Sequence, residues 1–536
     1  MKKIKKILCL LFSLLILFSL ICGCNEVKKN EVPVTIKFPD IIQGTDSNLV
    51  SLEKFKSQSK TQDGNLYGVI KCPFYNVIYN GNNEVYSYSV PSVSSELHSF
   101  GYLEVTQDML PINITIKPKE NIGYNLDSAI VIPEKFGIKA KTEDNAVTFT
   151  IDKIDNYTVL FNGKFNFSRP YTLYVKEYKP MNVPKGYDVI EFQPGLHFVD
   201  RIKDLKDNTY IYLHTGAYLI AKQPDIYTEK NSIDSMGQAV WRAFIYGNGV
   251  KNIKIEGNGI IDFSSLSWHA RVPVGLTSCS NVEINDITLI DSTSWTVSLT
   301  DCKDIKITNL ILMAYRTNSD GIMLSNCKNA VVSNCFARSG DDLLEVKATK
   351  SVAPNTNTGG ENIVFRHNQT WAEKSRCFGF IQEAEMNVNN VLFEDNSVLY
   401  QDAIWDSAMG AYLVILGDGA TISDITFRGC DGYFIRGYLI NISVGKNQWS
   451  ISGNIGSVHD ITFENMRFYS YYSDDESLKN YGIRLQNTKE NGTENDLSDI
   501  HFNNITIDNK KLNSITEIKS DIIGLYKNIT LNGNAI

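Results

Sequence analysis

The chain has 536 residues, 43% hydrophobic and 21% charged, proportions ordinary for a globular protein and long enough for two domains or one long solenoid. A net charge of −8 argues against a nucleic-acid partner, although a local basic pocket in an acidic protein still suits an anionic sugar. Tyr (27) and Phe (25) far outnumber Pro (14), and Asn-Gly style turns recur, so the expected fold is mostly β.

The first residues read as targeting rather than structure. Lys2, Lys3, Lys5 and Lys6 form a positive region before the apolar run 7–21, which is short and wrongly flanked for a stable membrane span. The run closes on Leu20-Ile21-Cys22-Gly23-Cys24, which resembles a bacterial lipobox with Cys24 as the lipidated residue. A lipoprotein signal over 1–24 and a polar tether over 25–31 are therefore expected. They would hold the protein by its lipid anchor alone on the extracellular face of a bacterial membrane, or release it as a secreted chain. The cysteines outside this segment show no CxxC pairing and no His spacing for zinc. Cys279, Cys302 and Cys327 recur 23 and 25 residues apart before strand-like runs, as small buried residues on successive coils would.

Short alternating runs at 32–38, 67–71, 84–90, 112–117, 147–151 and 171–175 predict an antiparallel β-sandwich over 32–180. It carries no motif with chemistry, and its expected role is to cap the end of a solenoid formed by the C-terminal two thirds of the chain. Residues 181–187 read as a linker. Beyond them a unit recurs every 23 to 40 residues: an Asn or Asp, alternating apolar residues, a polar turn, then another apolar pair. It begins near Ile253, Asn281, Asp304, Asn329, Asn362, Asn390, Asp424, Asp460, Asp499 and Asn528. One such unit cannot bury its own apolar face, whereas stacked units share a core. The pattern predicts a right-handed parallel β-helix of about ten coils over 187–536, an all-β fold.

Two aspartate clusters stand out within the repeats. Asn318-Ser319-Asp320-Gly321 and Ser339-Gly340-Asp341-Asp342 place Asp320 and Asp341 21 residues apart, one coil of the solenoid. Stacked, the three carboxyls would share a site. Glycosidic hydrolysis needs an acid to protonate the leaving oxygen and a carboxylate to activate water, and crowded carboxyls keep at least one protonated. Neighbouring residues of a strand point to opposite faces, so a bend at Gly340 must bring Asp341 and Asp342 together.

These motifs carry a family resemblance. Residues 275–347 resemble the core of the pectin-degrading family 28 glycoside hydrolases, whose polygalacturonases share Asn-Thr-Asp-Gly followed by Gly-Asp-Asp; Ser319 stands here for the Thr. Ser292-Thr293-Ser294-Trp295 is similar to that family's Ser-Pro-x-Trp turn. The resemblance implies Asp341 as general acid, Asp320 and Asp342 jointly activating water, and inversion at the anomeric carbon. Downstream, Ser375-Arg376-Cys377-Phe378-Gly379-Phe380-Ile381-Gln382-Glu383 lacks that family's Gly-His-Gly, and no clear Arg-x-Lys follows. The whole layout, a sandwich joined to a β-helix with the aspartates but without those motifs, is similar to family 49, the dextranases and isopullulanases.

Around the triad, Asn318, Lys347, Trp295, Arg376 and Gln382 are candidate substrate contacts; for Lys347 an ion pair with Glu345 or Asp320 is an equal alternative. Trp268, His269, Tyr315, Trp371, Phe378 and Trp405 are candidate sugar platforms beside ordinary packing roles. No Asp-x-Asp-x-Asp-Gly loop occurs, so no metal or other cofactor is expected. The leading expectation is a monomeric, exported glycoside hydrolase acting on a polysaccharide or oligosaccharide. A β-helical polysaccharide lyase and a non-catalytic glycan-binding surface protein are the alternatives.

Overall fold

In the computed structural model each Asn or Asp that opens a repeat occupies a left-handed backbone position. Asn252, Asn281, Asp304, Asn329, Asn362, Asn390, Asp424, Asp460, Asp499 and Asn528 have φ between 49° and 58°. Short polar side chains tolerate this region, which branched or bulky ones avoid. Their amides also bridge coils: Asn281 donates to Asn252 (2.7 Å), Asn329 to Asp304 (2.9 Å), Asn362 to Asn329 (3.0 Å) and Asn390 to Asn362 (2.6 Å). The structure describes residues 34–37, 69–92, 97–120, 123, 125–162, 169–224, 243–350, 359–402, 409–470, 481–490 and 492–536.

Each coil contributes a strand to three long sheets of 13, 12 and 10 strands. Pairing along them is parallel except at short C-terminal hairpins, the arrangement of a right-handed parallel β-helix. The first sheet runs from Asp188–Phe192 to Lys527–Leu531 and Asn534–Ala535. The second begins at Gly195–Val199, and the third spans Ile245–Asn248 to Asp521–Ile523. The turn from first to second sheet reuses the same local chemistry: Asp286, Asn309, Asn334, His367 and Asp395 all have φ between 54° and 65°. Inward residues form continuous columns. Phe365, Phe393, Phe427, Phe463 and Phe502 stack at centroid spacings of 4.9, 4.5, 4.6 and 5.3 Å. Cys279, Cys302 and Cys327 are buried and free in the same core, as their spacing predicts.

Residues 34–177 form two further sheets of seven and five strands. All their pairs are antiparallel except Leu97–Val105 with Tyr171–Glu177, which run parallel. Ile112, Ile114, Ile116, Val147, Phe149 and Leu173 fill the space between them. This sandwich differs from expectation in where it sits. It lies along the flank of the second sheet rather than over the solenoid's end. Phe100, Tyr102 and Tyr174 pack against a column that runs from Tyr218 through Ile290, Phe336 and Trp371 to Tyr433. Such an outward apolar column needs a cover, which the sequence pattern of the inward face does not reveal. Polar contacts fix the seam: Lys135 pairs with Asp395 (2.9 Å), Arg338 donates to the Pro91 carbonyl (2.7 Å), and Gln369 donates to Asp155 (3.0 Å).

Candidate active site

The two aspartate clusters lie on consecutive turns from the second to the third sheet. Asp320 precedes Ile322–Ser325; Asp341 and Asp342 fall between Phe336–Ser339 and Leu344–Ala348. Ile322 pairs with Leu344 in the third sheet, so the turns stack one above the other. Their backbones interlock: Gly321 N–H donates to the Asp342 carbonyl (2.8 Å). Two serines lock the turns further. Ser339 Oγ donates to the Ser319 carbonyl (2.5 Å) and accepts from Asp341 N–H (2.9 Å), while Ser319 Oγ accepts from Gly340 N–H (3.2 Å). The chain bends at Gly340 and Asp341 as expected, and the glycines also serve close approach. A Cβ on Gly340 would lie 2.3 Å from the Tyr315 carbonyl oxygen, and one on Gly321 2.3 Å from that of Leu343.

The result is one carboxyl cluster. An oxygen of Asp320, of Asp341 and of Asp342 all lie within 4.8 Å of one another. Their environments differ. Asp341 accepts the Asn318 N–H (2.9 Å) and the Asp342 N–H (3.0 Å). Burial, then the Asp342 charge, hold its carboxyl above the usual range. Asp320 is buried, and its Oδ1 has no hydrogen-bond partner. Burial and then the charges of Asp341 and Glu345 push it well above that range, against the pull of Lys347. The Asp342 carboxylate accepts from the Ser375 hydroxyl, the Arg376 N–H (3.3 Å) and the Arg376 guanidinium (2.7 Å).

Beneath the triad the structure joins Glu345, the expected partner of Lys347, with Glu383, a carboxyl that sequence reasoning did not place in the site. Lys347 Nζ lies 3.9 Å from Asp320, 3.5 Å from Glu345 and 3.7 Å from Glu383, and 5.5 Å from the centroid of Trp295. Burial raises Glu345 to about 8. Glu345 and Lys347 alternate with buried Leu344, Val346 and Ala348, a period-2 signal that marks them as sharing the opposite face of the strand. Nothing in the local sequence brings Glu383 to them.

The candidate substrate contacts divide. Asn318 is partly buried and holds Asp341 through its backbone. Lys347, 12% exposed, takes the ion-pair alternative. Trp295 is buried under Lys347. Arg376 is buried and engaged by Asp342. Gln382 is also buried; with its amide oxygen facing the guanidinium, it accepts from Arg376 at 2.7 and 3.1 Å and donates to Asn447 (3.0 Å). Its φ of 60° is a left-handed strain for such a side chain, of the kind that collects at functional sites. Arg376 and Gln382 thus support Asp342 from below. Of the proposed platforms, Trp371 and Phe378 are buried core residues, Tyr315 is partly buried, and Trp268 is exposed. Trp405 and Cys24 lie outside the described residues. The three aspartates are also the one carboxylate set among the described residues with metal-holding spacing, but Arg376 and Lys347 already compensate its charge.

Residues 226–399 match the model of the glycosyl hydrolases family 28. That span contains the whole cluster, so the resemblance read from the two aspartate motifs holds. A probable polygalacturonase from Vitis vinifera is 28% identical over 283 residues, 48% of this chain and 54% of that protein. A probable polygalacturonase from Arabidopsis thaliana is 25% identical over 148 residues, 25% of this chain and 31% of that protein. The chain therefore spans about half or less of these relatives' lengths. Among solved structures, Dex49A from Penicillium minioluteum superposes with a TM-score of 0.58 at 11% identity, covering 87% of this chain and 95% of that one. A hyperthermoactive exopolygalacturonase from Thermotoga maritima gives 0.50 at 15% identity over 66% and 86% of the two chains. These two likenesses show a shared fold. The first also extends over the two-part layout expected from family 49.

Proposed function

We propose that this protein is a glycoside hydrolase that cleaves O-glycosidic bonds of a polysaccharide at the Asp320–Asp341–Asp342 cluster. The observation that carries the reading is the convergence of three carboxyl oxygens within 4.8 Å on two stacked turns. The family 28 match over the same residues supports it. Asp341 is the general acid that the family resemblance implies, and burial and the Asp342 charge raise its carboxyl in the direction that role requires. Water activation falls mainly to Asp342, which Ser375 and Arg376 supply with donors. The upward push on Asp320 runs against an equal share for it.

The site's charge bears on the substrate. Asp320, Asp341, Asp342, Glu345 and Glu383 face two cations, Lys347 and Arg376, both engaged by these carboxyls. A uronate carboxylate would meet no unengaged cation among these described groups, which favours an uncharged sugar at the cleaved bond, as in a dextran-like polymer, over the polygalacturonate of the family 28 relatives. We further propose that the chain is exported and held at the bacterial surface through Cys24, a reading supported by the basic, apolar and Gly-Cys order of residues 2–24.

Inversion is the reading the family resemblance supports. Retention is the outcome that would contradict it. One experiment tests both. The protein is incubated with dextran, pullulan and polygalacturonate, products are sized, and the first-formed anomer is followed by proton NMR. Cleavage of a neutral polymer, lowered about 10²–10⁴-fold in Asp341→Asn, is expected. Undiminished cleavage by that variant would sink the assignment, and the anomer formed decides between inversion and retention.

A further inference from the structure

We infer that Trp268 is the aromatic floor of a sugar-binding subsite beside Asp341, taking the apolar face of an uncharged pyranose ring of the glycan chain. The inference rests on the hydrolase reading for its position but not for its test. Trp268 is 41% exposed, whereas Trp295 on the next coil and Trp371 and Phe378 four coils further along are buried. An exposed indole is ordinarily free to move; this one is fastened. Its Nε1 donates to the Thr317 carbonyl (2.8 Å), and its ring lies against that of His269, centroids 3.7 Å apart with planes 31° apart.

His269 is held in turn. It occupies a left-handed position (φ 57°), and its N–H donates to the Thr293 carbonyl (2.8 Å). Its Nε2 lies 3.2 Å from Asn318 Oδ1, an acceptor, so this nitrogen carries the proton. Burial lowers the His269 pKa. Asn318 N–H then donates to Asp341 Oδ2 (2.9 Å). The indole is thus tied to the loop that positions the proposed acid, and its hydrogen-bonding edge is satisfied by protein. With that polar atom engaged, the rest of the exposed indole side chain is apolar ring carbon, the chemistry that stacks on the C–H face of a sugar. A residue that only packed the turn would bury that surface.

The binding test uses the full chain as Asp341→Asn, alone and with Trp268→Ala or Trp268→Phe; the kinetic test uses the wild type and Trp268→Ala. Native gels cast with dextran, pullulan or polygalacturonate measure retardation, and tryptophan fluorescence follows titration with the same polymers. Retardation of Asp341→Asn in at least one neutral-polymer gel is expected, lost with Trp268→Ala and largely retained with Trp268→Phe. On the polymer that the wild type cleaves, Trp268→Ala is expected to raise KM roughly 3–10-fold, more than it lowers kcat. Retardation and KM unchanged by Trp268→Ala overturn the subsite, as does absence of retardation in all three gels. Retardation that depends on Trp268 in a protein that cleaves nothing overturns the hydrolase reading and leaves the subsite standing. A melting temperature close to the parent's shows that Trp268→Ala is folded.

Discussion

At Lys347 a single ammonium faces Asp320, Glu345 and Glu383, and the oxygens Asp320 Oδ1, Glu345 Oε1, Glu345 Oε2 and Glu383 Oε2 make no other hydrogen bond. Removing one partner from such a buried set leaves charge uncompensated, a loss on the order of 3–5 kcal/mol. Lys347→Met is therefore expected to destabilise the protein by about that much at pH 7–8. The sign of the pH dependence comes from the carboxyls. Asp320 and Glu345 are raised in the folded state, Glu345 to about 8, so the folded protein binds more protons than the unfolded chain between about pH 4 and 8. Stability from these groups falls as pH rises through that window, and falls more steeply once Lys347 is gone. Melting curves of Lys347→Met from pH 4.5 to 8 are expected to diverge from wild type with rising pH, with partial recovery on adding Glu345→Gln. A pH-independent difference would remove the ion-pair account. Lys347 and an ion pair with Glu345 or Asp320 were legible in the sequence; that it faces both and Glu383 as well was not, because Glu383 comes from a strand one coil away.

Among the elements, the Asn and Asp ladder explains why the repeat is visible at all. Each coil must turn into the first sheet through a left-handed residue, and each such side chain reaches the next coil. Asn329 illustrates both tasks: φ is 53°, it donates to Asp304, and it accepts from Asn362. Asn329→Ala is expected to lose about 1–3 kcal/mol in denaturant unfolding, of which about 1–2 kcal/mol is backbone strain. Asn329→Gly, which keeps the conformation and loses only the amide, is expected to lose less. Equal losses would show that the backbone conformation is not what selects Asn. The same logic made the strands readable, since inward residues alternate with outward ones. The third-sheet turns were readable only as motifs: the serine locks through Ser319 and Ser339, and the close passage at Gly340, involve residues that local periodicity treats as ordinary loop.

Over the whole molecule, the sandwich and the β-helix share a core rather than meeting end to end. Trp371 sits in that seam, stacked on Tyr400 (4.7 Å) and edge-on to His98 (5.1 Å). Trp371→Ala is expected to lower stability by about 3–5 kcal/mol. Because the seam runs from Tyr218 to Tyr433, the loss is expected to shift unfolding of both parts together, read as coincident tryptophan-fluorescence and circular-dichroism transitions. Separate transitions would show that the two parts are stabilised independently. Burial of Trp371 also corrects its candidacy as a sugar platform. Its apolar surface is covered by the sandwich, while Trp268, on a turn the sandwich does not cover, presents its ring to solvent.

Residue order by itself determined whatever one coil repeats: the strand period, the left-handed Asn and Asp, the cysteines and the 21-residue step that stacks Asp320 on Asp341. These are local rules applied coil after coil, so they leave a period in the sequence. The tertiary structure alone decided which faces meet. The docking of the sandwich on the second sheet, the retreat of Arg376 and Gln382 beneath Asp342, the Lys347 network and the exposure of Trp268 rather than Trp371 arise from contacts between segments tens to hundreds of residues apart. Such contacts are chosen by shape and charge in three dimensions and carry no fixed spacing along the chain.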